Sequence, residues 1–172
     1  MTRLSDRAVR GVTFIAGSEK NAGKTALLNL LLGSARGLGR TAYLSIGVDG
    51  ESRDLVFGNP KPRIYAREND LVATSQKALA EASAEYRVLE VYPGRTVFGK
   101  TALAEITRAG YIELTRPGDN AEVADIAQSL TEDFGAASVL VDGASDRVTQ
   151  AACVPGAGYV FVLRARQTGL EK

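Results

Sequence analysis

The residues best suited to chemistry lie in one glycine-bounded loop, residues 17–25, with the sequence Gly-Ser-Glu-Lys-Asn-Ala-Gly-Lys-Thr. Loops that bind the phosphates of a nucleotide carry Gly, four further residues, and then Gly-Lys-Ser or Gly-Lys-Thr. Gly23, Lys24 and Thr25 fit that pattern, and the leading glycine stands one position early, at Gly17. The spacing predicts a nucleoside-triphosphate site. The alternative is an ordinary helix-entry turn with a solvated lysine.

Each part of this loop has a predicted role in binding a triphosphate. Backbone N–H groups of residues 20–25 would surround the β-phosphate at a helix N-terminus, where the helix dipole favours negative charge. Lys24 would reach the β- and γ-phosphate oxygens, and Thr25 would offer its hydroxyl to Mg²⁺. The residues predicted to contact the nucleotide are Gly17, Ser18, Glu19, Lys20, Asn21, Ala22, Gly23, Lys24, Thr25 and Ala26.

Two aspartates are predicted to complete the site from other strand ends. Asp142 follows an apolar run and precedes a glycine, and it is the predicted partner of Thr25 in holding Mg²⁺. Asp49 follows the strand-like run 41–47 and is the candidate for orienting the attacking water, so it joins Lys24 as a predicted catalytic residue. Asp-Gly pairs are also common turn signals, and a simple turn is the alternative at both aspartates.

The elements that must position these residues follow an alternating pattern. Apolar and β-branched runs predict strands at 11–16, 41–47, 137–141 and 159–163, and a leucine-rich helix is predicted at 24–36. Ligands of parallel sheets bind beyond the carboxyl ends of the strands, which is where the loop and both aspartates fall. The predicted fold class is α/β, a three-layer P-loop NTPase fold with a mostly parallel central sheet.

The middle of the chain departs from this alternation. Asp70 is a predicted cap for a helix that reaches about Ala82, and Asp119 is predicted to cap another helix that ends at Gly135. Three short strands are predicted at 86–92, 100–107 and 111–115. The glycine-containing turn before the last strand predicts that the last two form a β-hairpin inserted in the sheet. The run 100–107 also suits a helix, because Ala, Leu, Glu and Lys are good helix formers.

Composition limits the classes of function that need to be considered. A chain of 172 residues with 45% hydrophobic residues suits one nucleotide-binding domain, residues 1–172. The net charge of +1 gives no basic face for nucleic acid or an acidic membrane. The absence of histidine excludes Ser-His-Asp and Cys-His catalysis, and the single cysteine, Cys153, with no signal-peptide pattern, predicts a cytoplasmic location. No Asn-Lys-x-Asp guanine motif occurs, so ATP with Mg²⁺ is the predicted ligand.

The loop 17–25, together with the later segment 142–147, resembles an accessory P-loop family, the reactivase subunit associated with adenosylcobalamin-dependent lysine 5,6-aminomutase. Segments 84–91 and 96–100 add to the resemblance, the second being similar to a Thr-Pro-Leu-Gly motif of the family. The resemblance implies an ATPase that helps the aminomutase release damaged cobalamin. It also implies two partners, the aminomutase itself and a second ATPase-like reactivase subunit.

A broader resemblance extends to the dethiobiotin synthetase and cobyrinate amidase group, whose phosphate loops share the same glycine spacing and whose later strand carries an acidic residue before glycine. This resemblance implies ATP-dependent activation of a carboxylate. The Lys-Pro motif of those enzymes is absent, because residues 47–51 read Gly-Val-Asp-Gly-Glu. Three functions therefore stay open: a reactivating ATPase, a carboxylate-activating ligase, and a nucleotide-binding regulatory subunit that does not hydrolyse its ligand.

Overall fold

The computed structural model describes residues 9–18, 22–46, 63–145 and 153–163. Its strands are β1 (Gly11–Gly17), β2 (Thr41–Ser45), β3 (Ile64–Ala66), β4 (Leu71–Ser75), β5 (Glu85–Thr96), β6 (Gly99–Arg108), β7 (Gly110–Ile112), β8 (Ser138–Ser145) and β9 (Gly158–Val162). Its helices are α1 (Lys24–Arg36), α2 (Gln76–Ala80) and α3 (Asn120–Glu132). The predicted order of strand, loop and leucine-rich helix at the start of the chain is confirmed.

Seven strands form one central sheet in the order β5-β6-β4-β2-β8-β1-β9. The five strands from β4 to β9 in that order run parallel, whereas β5 and β6 pair antiparallel at one end. Parallel strands are buried on both faces and therefore carry near-continuous apolar runs, as β2 does with all five residues buried. The mostly parallel α/β sheet predicted from the sequence is confirmed.

The two long helices cover opposite faces of this sheet. Successive strand residues point to opposite faces, and Phe14 and Ile15 of β1 accordingly belong to different core clusters. Ile15 packs with Leu28 and Leu32 of α1, while Phe14 packs with Ile126 of α3. Each fully buried side chain of this size contributes roughly 1.5–3 kcal/mol, so this apolar contact holds α1 against the sheet.

The hairpin at the antiparallel end of the sheet differs from the predicted one. β5 and β6 pair with each other through a tight turn at Val97 and Phe98, and β6 lies against β4. The predicted hairpin of 100–107 with 111–115 is wrong, because β7 pairs with β3 in a separate two-stranded sheet. At the start of β7, Gly110 lies so close to the segment after α2 that a β-carbon there would collide with the backbone of Ala84.

The helix predicted from Asp70 to Ala82 is also wrong. Leu71–Ser75 is instead a fully buried strand between β2 and β6, and only Gln76–Ala80 is helical, with Ser75 as its N-cap. The good helix formers after Ser75 make the whole segment resemble a helix in the sequence. Residues 71–75 are nevertheless extended, because burial between two strands outweighs the local helix preference.

Asp70 holds β4 to the end of α1 instead of capping a helix. It is 3% exposed, and its carboxylate accepts hydrogen bonds from Arg36 Nη2 at 2.6 Å and from the Tyr43 hydroxyl at 3.2 Å. The Arg67 backbone N–H donates to the same carboxylate at 2.9 Å. These contacts satisfy a charge that would otherwise be costly to bury.

A second buried carboxylate, Glu122 in the first turn of α3, ties that helix to the β5–β6 hairpin. It is 7% exposed and accepts hydrogen bonds from the Gly94 N–H at 3.0 Å, the Thr101 hydroxyl at 3.1 Å and the Gly118 N–H. The Asp119 side chain caps the helix by accepting from the Glu122 N–H at 2.9 Å, as predicted for that residue.

Candidate functional site

Lys24, the first residue of α1, lies with its side chain against the backbone of Gly17, the last residue of β1. A β-carbon placed on Gly17 would lie 3.0 Å from Cγ, 3.1 Å from Cδ and 3.3 Å from Nζ of Lys24. Relaxed carbon contacts are about 3.5–4.0 Å, so any side chain at position 17 would displace the lysine. The glycine creates the space in which the lysine folds back over the end of the strand.

The N-terminus of α1 is built without an acidic or capping side chain. Gly23 is the N-cap with φ 102°, a left-handed conformation that favours glycine, and its carbonyl accepts from the Leu27 N–H at 3.0 Å. No acidic residue occurs in the first turn. The positive end of the helix dipole and the Lys24 ammonium therefore act together, which suits the binding of an anion.

Asp142 lies on β8, the strand between β1 and β2. It is in register with Ile15 on one side and Ser45 on the other, and its backbone oxygen accepts from the Ile46 N–H at 2.7 Å. The pairing of β1 with β8 skips Gly143, which has φ 99°, so a β-bulge follows the aspartate. Bulges commonly redirect side chains beside functional sites, and Oδ1 of Asp142 is buried.

The parallel strands place their carboxyl ends at one edge of the sheet, and the loop begins there. Gly17 pairs with Ser145 of β8 and with Val162 of β9. The Ser18 N–H donates to the Val162 carbonyl at 3.0 Å, which fixes the first turn of the loop to β9. Asp142 is therefore on the strand next to the loop, two residues before the level of Gly17.

The structure describes part of the predicted site. The described members are Gly17, Ser18, Ala22, Gly23, Lys24, Thr25, Ala26 and Asp142. The structure brings Gly17 and Lys24 into contact and puts Asp142 on the neighbouring strand. Glu19, Lys20, Asn21 and Asp49 lie outside the described residues.

The donors available for a metal suit an ion held jointly with phosphate. Among the described residues, no group of three or more His, Cys, Asp or Glu side chains is placed to hold a metal ion. The hydroxyl of Thr25 and the carboxylate of Asp142 are hard oxygen donors, and Mg²⁺ is usually bound by one or two such protein oxygens together with phosphates and water. The residues fit Mg²⁺ delivered with a nucleotide rather than a cage made by protein alone.

The sequence analysis missed a row of polar side chains along the same edge. Ser45, 8% exposed, is beside Asp142, and continuing the β2–β4 register by one residue places Thr74, fully buried, beside Ser45. The available signal was a hydroxyl residue in the last one or two positions of each of two buried apolar strands. It is weak in one sequence, because strand pairing must be known before the residues become neighbours.

Cys153 is a partly buried side chain packed against the cluster on the α3 face. Burial raises the pKa of its thiol, which keeps the sulfur protonated near neutral pH. A protonated thiol is a poor nucleophile, so Cys153 acts as a small structural side chain in this cluster.

Helices α1 and α3 have 13 residues each, against about 20 needed to cross a bilayer. In the described ranges of the chain, no helix is long and apolar enough to span a membrane. Comparison of the chain with protein-family models, with curated proteins and with solved structures returned no match.

Proposed function

We propose that the chain is a P-loop nucleotide-binding protein that holds Mg-ATP at residues 17–26. The observation that carries this proposal is the position of Lys24 against Gly17. In a Walker A loop the lysine must turn back toward the strand end to reach phosphates cradled by the loop amides. The folded position of Lys24 over the end of β1 is the one that this geometry requires, which supports the phosphate-binding interpretation.

The proposed roles follow the chemistry of the side chains. Lys24 and the α1 N-terminus stabilise charge on the β- and γ-phosphates. Thr25 and Asp142 hold Mg²⁺, which neutralises charge on the same oxygens when it is bound. Asp49 orients the water that attacks the γ-phosphorus in line, the bond to the β-phosphate oxygen breaks, and ADP and inorganic phosphate are released.

The proposed biological role is an ATPase that assists a cobalamin-dependent aminomutase, and it rests on the family resemblance of residues 17–25 and 142–147. The reactivating partner arrangement would need the aminomutase and a second ATPase-like subunit. Hydrolysis by the isolated chain is then expected to be slow and to rise when the partner is present.

The test measures Mg-ATP affinity and phosphate release for the wild type, Lys24→Gln and Lys77→Gln. Lys77 is a matched control because it lies on α2, outside the proposed nucleotide loop, and its side chain is 60% exposed. Lys24→Gln is expected to weaken Mg-ATP binding by at least about tenfold, a change of about 1.4 kcal/mol, and Lys77→Gln to leave it unchanged. Equal affinity for wild type and Lys24→Gln would contradict the site.

The same assay separates the three functions when GTP, small carboxylic acids and an aminomutase are added in turn. Stimulation by the aminomutase supports the reactivating ATPase. Phosphate release that depends on a carboxylic acid supports a ligase, in which that carboxylate attacks the γ-phosphorus in place of water. Tight binding with no phosphate release under any condition supports a regulatory subunit.

A further inference from the structure

A basic side chain outside the proposed loop, Arg116, lies in the segment between β7 and α3. Its Nε is buried and has no hydrogen-bond partner among the described residues. None of the ion pairs formed among the described residues includes Arg116. The residue as a whole is only partly buried, so other atoms of it are open to solvent. A buried donor left unpaired is destabilising, so an arginine retained at this cost points to a role for the remaining N–H donors of its guanidinium.

The segment before Arg116 is fixed to the carboxyl end of β4. The Thr115 N–H donates to the Thr74 hydroxyl at 3.0 Å, and the Ser75 N–H donates to the Thr115 hydroxyl at 2.8 Å. The Thr74 hydroxyl in turn donates to the Glu113 carbonyl at 2.9 Å. Arg116 therefore follows directly from a rigid hydroxyl network at the same sheet edge as the proposed nucleotide loop.

The two acidic residues that follow Arg116 in the chain, Asp119 and Glu122, form hydrogen bonds with other groups. Glu122 accepts from the N–H groups of Gly94 and Gly118 and from the Thr101 hydroxyl. Asp119 caps α3 through the Glu122 N–H. Neither carboxylate is paired with the guanidinium, which keeps its planar set of donors for an anion of matching geometry.

The strand order separates Arg116 from the phosphate loop. β4 is two strands from β8, which carries Asp142, and three strands from β1, which ends at Gly17. With neighbouring strands about 4.8 Å apart, these separations are about 10 and 14 Å. A triphosphate held by the loop would end near Asp142. The end of β4, to which Thr115 is bonded just before Arg116, is beyond Asp142 in the strand order, and on the proposed nucleotide function a second substrate would meet the γ-phosphate from that side.

We propose that Arg116 binds the carboxylate or phosphate group of a second, small anionic ligand at the carboxyl end of β4. The Nη groups of the guanidinium make paired N–H bonds to two oxygens of that group. Its place opposite the γ-phosphate rests on the proposed nucleotide function, but the anion site itself rests on residues of β4 and of the β7–α3 segment alone.

The test titrates inorganic phosphate and, separately, malonate into the full chain, with calorimetry and thermal unfolding as readouts. Both titrations are repeated in Lys24→Gln, which weakens phosphate binding at the loop. Arg116→Met keeps the apolar part of the side chain and removes the charge, whereas Arg116→Lys keeps the charge and removes the planar guanidinium. The control is Arg95→Gln, which changes an exposed arginine of the β5–β6 hairpin.

Saturable binding of at least one anion is expected in the wild type, Lys24→Gln and Arg95→Gln, and the anion that binds identifies carboxylate or phosphate as the ligand class. Arg116→Met and Arg116→Lys should weaken that binding at least tenfold. Without any anion, Arg116→Met should raise Tm by about 2–4 °C, because the unpaired donor is removed. A purely structural arginine would lower Tm on the same change.

The proposal would be overturned by no binding of either anion to the wild type, by equal binding in Arg116→Met, or by a lowered Tm for Arg116→Met without anion. A tenfold loss of Mg-ATP affinity in Arg116→Met with no separate anion binding would also overturn it, and would assign Arg116 to the nucleotide. If the wild type binds an anion but not Mg-ATP, and the Arg116 variants lose the anion, this site is supported and the proposed nucleotide function is rejected.

Discussion

Replacing Gly17 by alanine should displace Lys24 while leaving the chain folded. The new Cβ would lie 3.0 Å from Cγ and 3.1 Å from Cδ of the lysine, against about 3.5–4.0 Å for a relaxed contact, so the stem must move by about 0.5–1 Å. Gly17 is not among the residues with positive φ, so alanine fits its backbone. Because the obstructing atoms belong to a flexible side chain, the free energy of unfolding should fall by about 1 kcal/mol or less.

The effect on nucleotide chemistry should be far larger than the effect on stability. A catalytic group misplaced by about 1 Å can cost about 100-fold in rate, so phosphate release should fall by about that factor and Mg-ATP affinity by about tenfold. Calorimetry measures the Mg-ATP affinity, a phosphate-release assay measures the rate, and urea unfolding measures the stability, all on one preparation.

The matched control for this substitution is Gly33→Ala in α1. A β-carbon at Gly33 meets nothing within 4 Å, and this exposed helical position should gain about 0.5–1 kcal/mol in stability with unchanged nucleotide affinity. Wild-type affinity and turnover in Gly17→Ala would refute the reasoning, because the lysine would then not need its observed position. So would a stability loss above about 2 kcal/mol, since it would show that the lysine cannot move aside.

Three further predictions concern buried polar groups. Asp70→Ala leaves the Arg36 guanidinium without its carboxylate and should lower the free energy of unfolding by about 3 kcal/mol, measured in urea. Burial, and then the charge of Asp70, raises the pKa of Tyr43 well above its usual value. Stability should therefore fall as pH rises above about 10, where only the unfolded chain ionises this tyrosine, and Tyr43→Phe should show a smaller loss between pH 9 and 11. Glu122→Ala should cost about 3 kcal/mol and speed hydrogen exchange at the Gly94 amide, while unchanged exchange there would contradict the described bond.

The parts of the fold that were predictable are those whose pattern is complete within a few residues. The leucine run of α1, the apolar run of β2 and the Asp119 cap of α3 all lie where the sequence places them. The strand Leu71–Ser75 was missed because good helix formers follow it directly, and the two segments together resemble one longer helix. Its conformation depends on β2 and β6, which are distant in sequence and whose pairing no local pattern reveals.

The candidate site divides in the same way. The type and spacing of residues 17–25, with the two aspartates that the sequence pattern puts after apolar runs, by themselves predict a phosphate-binding chemistry, because a glycine loop with Gly-Lys-Thr needs only local geometry to cradle an anion. Only the tertiary structure decided that Lys24 lies against Gly17, that Asp142 is on the strand beside the loop, and that Arg116 keeps a buried Nε with no hydrogen-bond partner among the described residues. These relations join residues up to 127 positions apart, as Ile15 and Asp142 are, and they exist because strands that are distant in the chain must pair to bury their apolar faces and satisfy their backbone hydrogen bonds.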